Sequence, residues 1–295
     1  MDELYFLIVN FNSSSLVTRL VKSLDSEQDG YQLIVVNNSI EDKNIYRLES
    51  NRLIIIEAKE NIGFGRACNL GLDWIYQRNK QAIVWLINPD AYFKLDDEAK
   101  ISPIKSAIAF RKNQPQISIL GTVVCNSEGE VTAAGGSFTA GTGSLKVIDY
   151  LTNKLEQDYL KPDWVSGCSL LINLANFSQC PKFDSRYFLY YEDLDFCLRY
   201  AQQGHQIALI PWLKVFHDTS AITNRNLKKK YQHITHSYLI HMEKYSSLPI
   251  FVLTNIRICL NTIRLIILQP QQGWGKLTGI YNYWQTRLTN SDIRS

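Results

Sequence analysis

The first third of the chain holds four short runs that are almost wholly apolar and that each stop at a polar turn: LYFLIVN at 4–10, YQLIVVNN at 31–38, RLIIIEA at 52–58 and AIVWLIN at 82–88. Helical stretches at 14–25 and 65–78, and a short helix after the second run, separate them. A strand that is apolar at nearly every position is buried on both faces, the pattern of parallel strands covered by helices. The chain is thereby constrained to an α/β sheet, in which ligands sit beyond the carboxyl ends of the strands. Those ends are Asn10-Phe11-Asn12, Asn37-Asn38-Ser39, Asn61-Ile62-Gly63 and Asn88-Pro89-Asp90, so four polar turns fall on one edge.

Further along, a helix is expected near 96–112, a strand at ISILGTVVC, and a hairpin or mobile Gly-rich loop at GGSFTAGTGS. WVSGCSLLIN at 164–173 is again strand-like, Glu192 to Gln203 reads as a helix with acids in its first turn, and HQIALIP returns to a strand. From Asn226 the pattern is helical, with breaks near Pro249 and Pro270. The organisation read from this is a mixed α/β domain over 1–222 and a helical C-terminal region over 223–295. Neither GxGxxG nor GxxxxGK[ST] occurs at a strand-to-helix turn, which disfavours a dinucleotide fold or a P-loop kinase.

At 295 residues, 45% of them apolar, the chain can bury a sizeable core. Its six cysteines are scattered with no CxxC pair, against both a zinc cage and a secreted disulfide framework, so a reducing cytoplasm is expected. The opening MDELYFLIVNFN carries acids where an export signal needs bases. The net charge of +3 hides an asymmetry: residues 1–218 carry 21 Lys+Arg against 26 Asp+Glu, and residues 219–295 carry 10 against 2. An acidic body with a tail of +8 points to a polyanionic partner for the tail.

Three places can carry chemistry. Asp90, in WLINPD, is either ordinary turn chemistry or a strand-end carboxylate suited to a hard cation that bridges phosphates. Glu192, Asp193 and Asp195, in YYEDLDFCLR, either cap a helix or form a carboxylate site behind an aromatic run, able to accept a proton from a hydroxyl; helical spacing turns Asp195 away from Asp193. His217 ends the apolar WLKVF run and precedes Asp218, as a structural residue or a metal ligand, whereas His233, His236 and His241 read as faces of solvated helices.

VNFNSS, VVNNS, NIGFGRACNLG, NPDA, WVSGCSLLI, FLYYEDLDFCLR and VFHDTS, in this order and at these separations, resemble the family 2 glycosyltransferases of GT-A fold, in particular the rhamnosyltransferase-like branch of bacterial surface-polysaccharide synthesis. The resemblance covers about residues 4 to 220 and implies a GT-A mixed sheet flanked by helices. It places Phe11 against the nucleotide base and Asn37, where most members carry Asp, at the base's polar edge. Asn61, Gly63, Arg66 and Asn69 would line the nucleotide. The family's metal-binding DxD becomes Asn88 and Asp90, with Asp90 as ligand and His217 completing a site for Mg²⁺ or Mn²⁺. Asp193 matches the catalytic base. The implied reaction is inverting transfer of a sugar, rhamnose among the candidates, from a dTDP- or UDP-linked donor to a glycan or polyprenyl-linked acceptor.

Competing readings leave traces in the sequence too. A nucleotidyltransferase needs a Gly-rich basic segment after the first strand, which FNSSSLVTRL lacks. A non-catalytic sugar-nucleotide-binding or scaffold protein of the same fold would account for Asn37 and Asn88. For the tail, no nucleic-acid-binding module accompanies KKK at 228–230, so no nucleic-acid partner is expected. LPIFVLTNIRICLNTIRLIIL at 248–268 carries Asn255, Arg257, Asn261 and Arg264 at near-helical spacing, which suits either an anionic membrane surface or a groove on the main domain. The expected location is cytoplasmic, peripheral on the inner face of the cytoplasmic membrane.

Overall fold

The computed structural model describes residues 4–24, 30–94, 102–147, 158–217 and 226–291. They divide into two compact units: Met1–Ser137, Lys146–Phe183 and Asp193–Thr219 form the first, and Phe138–Leu145, Asp184–Glu192 and Ser220–Ser295 the second.

In the first unit, Leu4–Asn10 (β1), Tyr31–Asn37 (β2), Leu53–Glu57 (β3) and Ile83–Ile87 (β4) alternate with helices Ser14–Leu24 (α1) and Phe64–Arg78 (α2) and with a 3₁₀ turn at Lys43–Leu48. Ala91–Tyr92 (β5), helix Pro103–Asn113 (α3), Ile117–Cys125 (β6) and Val131–Ala133 (β7) follow. The hairpin expected in the Gly-rich segment forms, as Gly135–Thr139 (β8) and Ser144–Val147 (β9), whose residues Phe138–Leu145 belong to the second unit, and Trp164–Val165 (β10) pairs with β8. Ser169–Asn173 (β11), helix Glu192–Gln202 (α4) and Gln206–His217 (β12) complete the unit.

The main sheet runs β3-β2-β1-β4-β11-β6-β12-β5, with β7 beside β6. β3, β2, β1 and β4 are parallel; β11 is antiparallel to both β4 and β6, so the sheet is mixed. Successive strand residues point to opposite faces. Leu7, Val9, Ile34 and Val36 pack with Ala67, Leu72 and Ile75 of α2 and Phe196 of α4. Phe6, Ile8, Leu33 and Val35 pack with Val17 and Leu20 of α1 and Ile104 and Phe110 of α3. Both faces are therefore covered, the physical reason that β1 is buried at every position.

The 164–173 run differs from the continuous strand its composition implies. Ser166, Gly167 and Cys168 break it into β10 and β11 by a turn, and that turn is part of the site described below.

The second unit contains Leu227–Tyr245 (α5), Leu248–Leu268 (α6) and Pro270–Ser291 (α7), with prolines opening α6 and α7 as their fixed φ allows. Gly275 and Gly279 let α7 lie against the α5 backbone: a Cβ on them would come within 2.4 Å of the Lys228 carbonyl and 2.5 Å of the Gln232 carbonyl. The histidines of α5 are not on solvated faces. His241 is fully buried with Nε2 3.2 Å from the Gly143 carbonyl, and His233 stacks on Phe188 at 4.5 Å, where burial pushes its pKa down to about 4.

Candidate active site

The parallel register sets Asn10 beside Asn37 and Asn37 beside Glu57, so the ends of β1, β2 and β3 present a row of polar side chains. Asn10 Nδ2 donates to Asn37 Oδ1 at 3.0 Å and to Asp42 Oδ2 at 3.2 Å. Asn37 Nδ2 points at both Glu57 oxygens, at 3.2 and 3.3 Å, and the Tyr46 hydroxyl donates to Glu57 Oε1 at 2.8 Å. Burial alone would raise the Asp42 carboxyl, but hydrogen bonds from Ser14 and Asn10 hold it below its ordinary value. Phe11, at the end of β1, is 39% exposed, unusual for a phenylalanine next to a fully buried strand and available to stack on a planar ligand. Asn37 itself is buried and fully bonded, so the carboxylate at this edge belongs to Glu57, an exposed residue that sequence reasoning passes over.

The next turn is tied to the same edge. Asn38 Nδ2 donates to Asn61 Oδ1 at 3.0 Å, and the Gly63 N–H donates to the same oxygen at 3.1 Å. Gly63 caps α2 at φ 87°, a conformation that a side chain would strain. Arg66 is exposed in the first turn of α2. Asn69 does not join this group: its Nδ2 donates to the Phe183 carbonyl at 2.9 Å and its Oδ1 accepts from the Phe183 N–H at 2.7 Å. Both polar groups of Asn69 thus fix a main-chain segment, contrary to the nucleotide-lining role the resemblance implies.

β5 pairs with β12 so that His217 lies opposite Ala91, which brings its ring to Asp90. Nε2 of His217 is 2.9 Å from Asp90 Oδ1 and 3.5 Å from Asn88 Nδ2, and the Asp90 side chain is 5% exposed. The Arg19 guanidinium donates to the Asp90 carbonyl at 2.9 Å, which fixes the turn. Asp218 lies outside the described residues.

The Ser166–Cys168 turn connects this pair to Asp193. The Cys168 carbonyl accepts from the Asn88 N–H at 2.9 Å, while the Gly167 N–H donates to Asp193 Oδ2 at 2.7 Å. Burial drives the Cys168 thiol well above its ordinary value, and the Asp90 and Asp193 carboxylates on either side add to this. Asp193 Oδ1 accepts from the Leu194 N–H at 2.8 Å. Burial raises the Asp193 carboxyl, and the main-chain N–H groups partly offset it. Asp195 points elsewhere, as the helical spacing predicts: it is fully buried and pairs with Arg199 at 2.6 Å.

The donor set of Asp90 and His217 fits a divalent cation. A carboxylate oxygen and an imidazole nitrogen 2.9 Å apart are ligand types that such an ion accepts. Among the described residues no group of three or more His, Cys, Asp or Glu side chains forms a closed cage.

No family model matches the chain. It is 23% identical over 226 residues to the rhamnosyltransferase WbbL of Escherichia coli (strain K12), across 72% of this chain and 82% of that one. It is 25% identical over 250 residues to N-acetylglucosaminyl-diphospho-decaprenol L-rhamnosyltransferase of Mycobacterium tuberculosis (strain ATCC 25618 / H37Rv), across 76% of this chain and 79% of that one. Its structure superposes on GalNAc-T7 solved with UDP, GalNAc and Mn²⁺ at a TM-score of 0.55 and 12% identity, across 85% of this chain and 56% of that one. The fold is GT-A, and the sequence is rhamnosyltransferase-like.

Proposed function

We propose that the chain is an inverting glycosyltransferase that moves a sugar, rhamnose first among the candidates, from a dTDP- or UDP-linked donor to a hydroxyl of a glycan or polyprenyl-linked acceptor in surface-polysaccharide synthesis. The observation that carries this reading is the Ser166–Cys168 turn, which holds the half-buried Asp193 carboxylate on one side and, on the other, the Asn88 main chain next to the Asp90–His217 pair, beyond the strand ends of a GT-A sheet.

The roles are those the family resemblance implies, supported by the geometry above. Phe11 offers its ring to the base, and Asn37, buried between Asn10 and Glu57, orients the exposed Glu57 carboxylate that meets the base's polar edge. Asn61, Gly63 and Arg66 line the path of the ribose and diphosphate. Asp90 and His217, with Asn88 beside them, would hold a divalent ion, Mg²⁺ or Mn²⁺, which would supply Lewis-acid neutralisation of the departing diphosphate. Asp193 takes the proton of the acceptor hydroxyl as that oxygen bonds to the anomeric carbon. The anomeric carbon–phosphate oxygen bond breaks in the same step, and its electron pair leaves with the nucleoside diphosphate. One displacement inverts the anomeric centre. Main-chain N–H groups on both Asp193 oxygens fix where the remaining lone pairs point, and the carboxyl's raised pKa makes it a stronger base than an exposed aspartate. An acceptor of this class places the work at the inner face of the cytoplasmic membrane.

The test offers a panel of dTDP- and UDP-sugars with a polyprenyl diphosphate-linked acceptor, with Mg²⁺, Mn²⁺ or EDTA, and reads product by mass and anomeric configuration by NMR. The reading predicts metal-dependent transfer from one donor class with inversion. Retention, or turnover undiminished in EDTA, contradicts it.

A further inference from the structure

The exposed side of α6 is its apolar side. Leu253, Ile256, Leu260, Ile263 and Ile267 recur at alternating steps of three and four residues, which makes one stripe along a helix, and all five are between 51% and 77% exposed. The opposite stripe faces inward within the second unit. Phe251 and Ile258 join a cluster with Leu239 and Tyr283, and Thr262 is buried with its hydroxyl on the Ile258 carbonyl. The polar residues of the helix therefore split. Asn255 donates back to the Phe251 carbonyl, whereas Arg257 and Arg264 lie exposed, each one residue past a member of the apolar stripe. On α7, Trp274, Leu277, Tyr281 and Trp284 repeat the same spacing and are also exposed, from 38% to 62%.

We infer that α6 is a seat for an anionic lipid bilayer, lying in the plane of the headgroup–acyl boundary with its leucine–isoleucine stripe immersed and Arg257 and Arg264 reaching the phosphates, and that the aromatic stripe of α7 adds a second apolar contact. Four observations separate this occupant from others. The helix has 21 residues and a length of about 31 Å, enough to cross a bilayer, but Arg257 stands near its middle and Arg264 one heptad on, where a spanning helix cannot bring both to water. A coiled coil with a second copy would use the same stripe. It would put those arginines beside its seam with no acid anywhere in α6 to pair with them. The surrounding charge has the same sign, +8 over residues 219–295, complementary to an anionic surface. Tryptophan and tyrosine on the neighbouring helix are the side chains that suit the boundary between headgroups and acyl chains.

The seat extends the membrane location proposed above and stands apart from the transfer reaction, since its test reads partition and not activity. The full chain is floated with vesicles of phosphatidylcholine alone and of phosphatidylcholine with one part in three phosphatidylglycerol, over a salt series, and bound protein is then washed with alkaline carbonate. The inference predicts binding to the anionic vesicles that weakens as salt rises, release by carbonate, and a blue shift of tryptophan emission on binding. Leu260→Glu/Ile263→Glu, at exposed positions and with an unchanged melting temperature, lowers the partition coefficient at least about tenfold, because immersed methylene groups are lost and charge is added at the boundary. Arg257→Gln and Arg264→Gln each lower anionic binding about fivefold while binding to neutral vesicles stays constant. Equal binding to neutral and anionic vesicles, resistance to carbonate, or a concentration-dependent dimer abolished by Leu260→Glu/Ile263→Glu overturns it.

Discussion

Gly167→Ala tests the placement of Asp193 without touching its chemistry. Gly167 is not among the positive-φ glycines, so alanine fits the backbone, and the difficulty is purely one of space. A Cβ there would stand 2.8 Å from Asp193 Cβ and 3.1 Å from Oδ2. That is about 0.7 Å inside the ~3.5 Å at which carbon atoms rest, so the carboxylate must move away from the N–H that now donates to it. A hydrogen bond to a charged group contributes about 1.5–3 kcal/mol, and one pKa unit corresponds to about 1.4 kcal/mol. Loss of the Gly167 bond should therefore raise the Asp193 pKa by a further one to two units, because the bond favours the charged form. The acid limb of the kcat/KM profile moves up by that amount. Displacement of the base by most of an ångström lowers turnover on its high-pH plateau by about 10- to 100-fold. Folding stability falls by about 1–3 kcal/mol, the usual cost of overpacking. The assay is transfer as a function of pH, with donor affinity by calorimetry as the control for an intact nucleotide site. Wild-type turnover with an unmoved acid limb in the alanine variant refutes the argument that this turn sets the base.

Asp90→Asn and His217→Gln should each remove the gain in donor affinity that Mg²⁺ or Mn²⁺ confers while leaving metal-free nucleotide binding unchanged, measured by calorimetry; a metal effect as large as in the wild type contradicts the assigned ligands. Gly275→Val should destabilise the protein by more than about 2 kcal/mol in denaturant unfolding, because its Cβ meets a main-chain carbonyl that cannot rotate aside. Asp184, whose carboxyl is held well below the ordinary range by Arg186 and Lys244 despite the opposing effect of burial, gives a signed pH prediction. A lowered folded-state pKa stabilises above the unfolded value of about 3.9 and loses that contribution as pH falls below it. The stability gap between wild type and Asp184→Asn should hold at neutral pH and close below about pH 4; a gap that grows on acidification excludes the ion pair as its source.

Legibility in the sequence followed locality. β1, β2 and β4 are plain in it because a strand covered on both faces must be apolar at each position, and α6 and α7 because Pro249 and Pro270 mark their starts. Asp90, His217 and Asp193 can be singled out because each stands where an apolar or aromatic run ends. What brings them together is not local: His217 reaches Asp90 through a register across 127 residues, and Gly167 reaches Asp193 across 26. Glu57 is hidden for the same reason, since an exposed acid at a strand's end becomes part of the site by lying beside Asn37 in the neighbouring strand. Asn69 misleads in the opposite direction: its place in NIGFGRACNLG suggests the ligand edge, but a half-buried position one turn into α2 turns its amide to the Phe183 main chain. The α5 histidines read as solvated because composition cannot say which face of a helix is covered.

The central claim, a base-assisted displacement on a nucleoside diphosphate sugar, is tested most directly by measuring donor affinity and single-turnover transfer side by side in wild type and Asp193→Asn. Donor affinity should remain within about twofold, because Asp193 is assigned to the acceptor hydroxyl, and the transfer rate should fall by at least about 100-fold, the usual contribution of a positioned base. Transfer above a tenth of the wild-type rate with donor affinity intact would contradict the account.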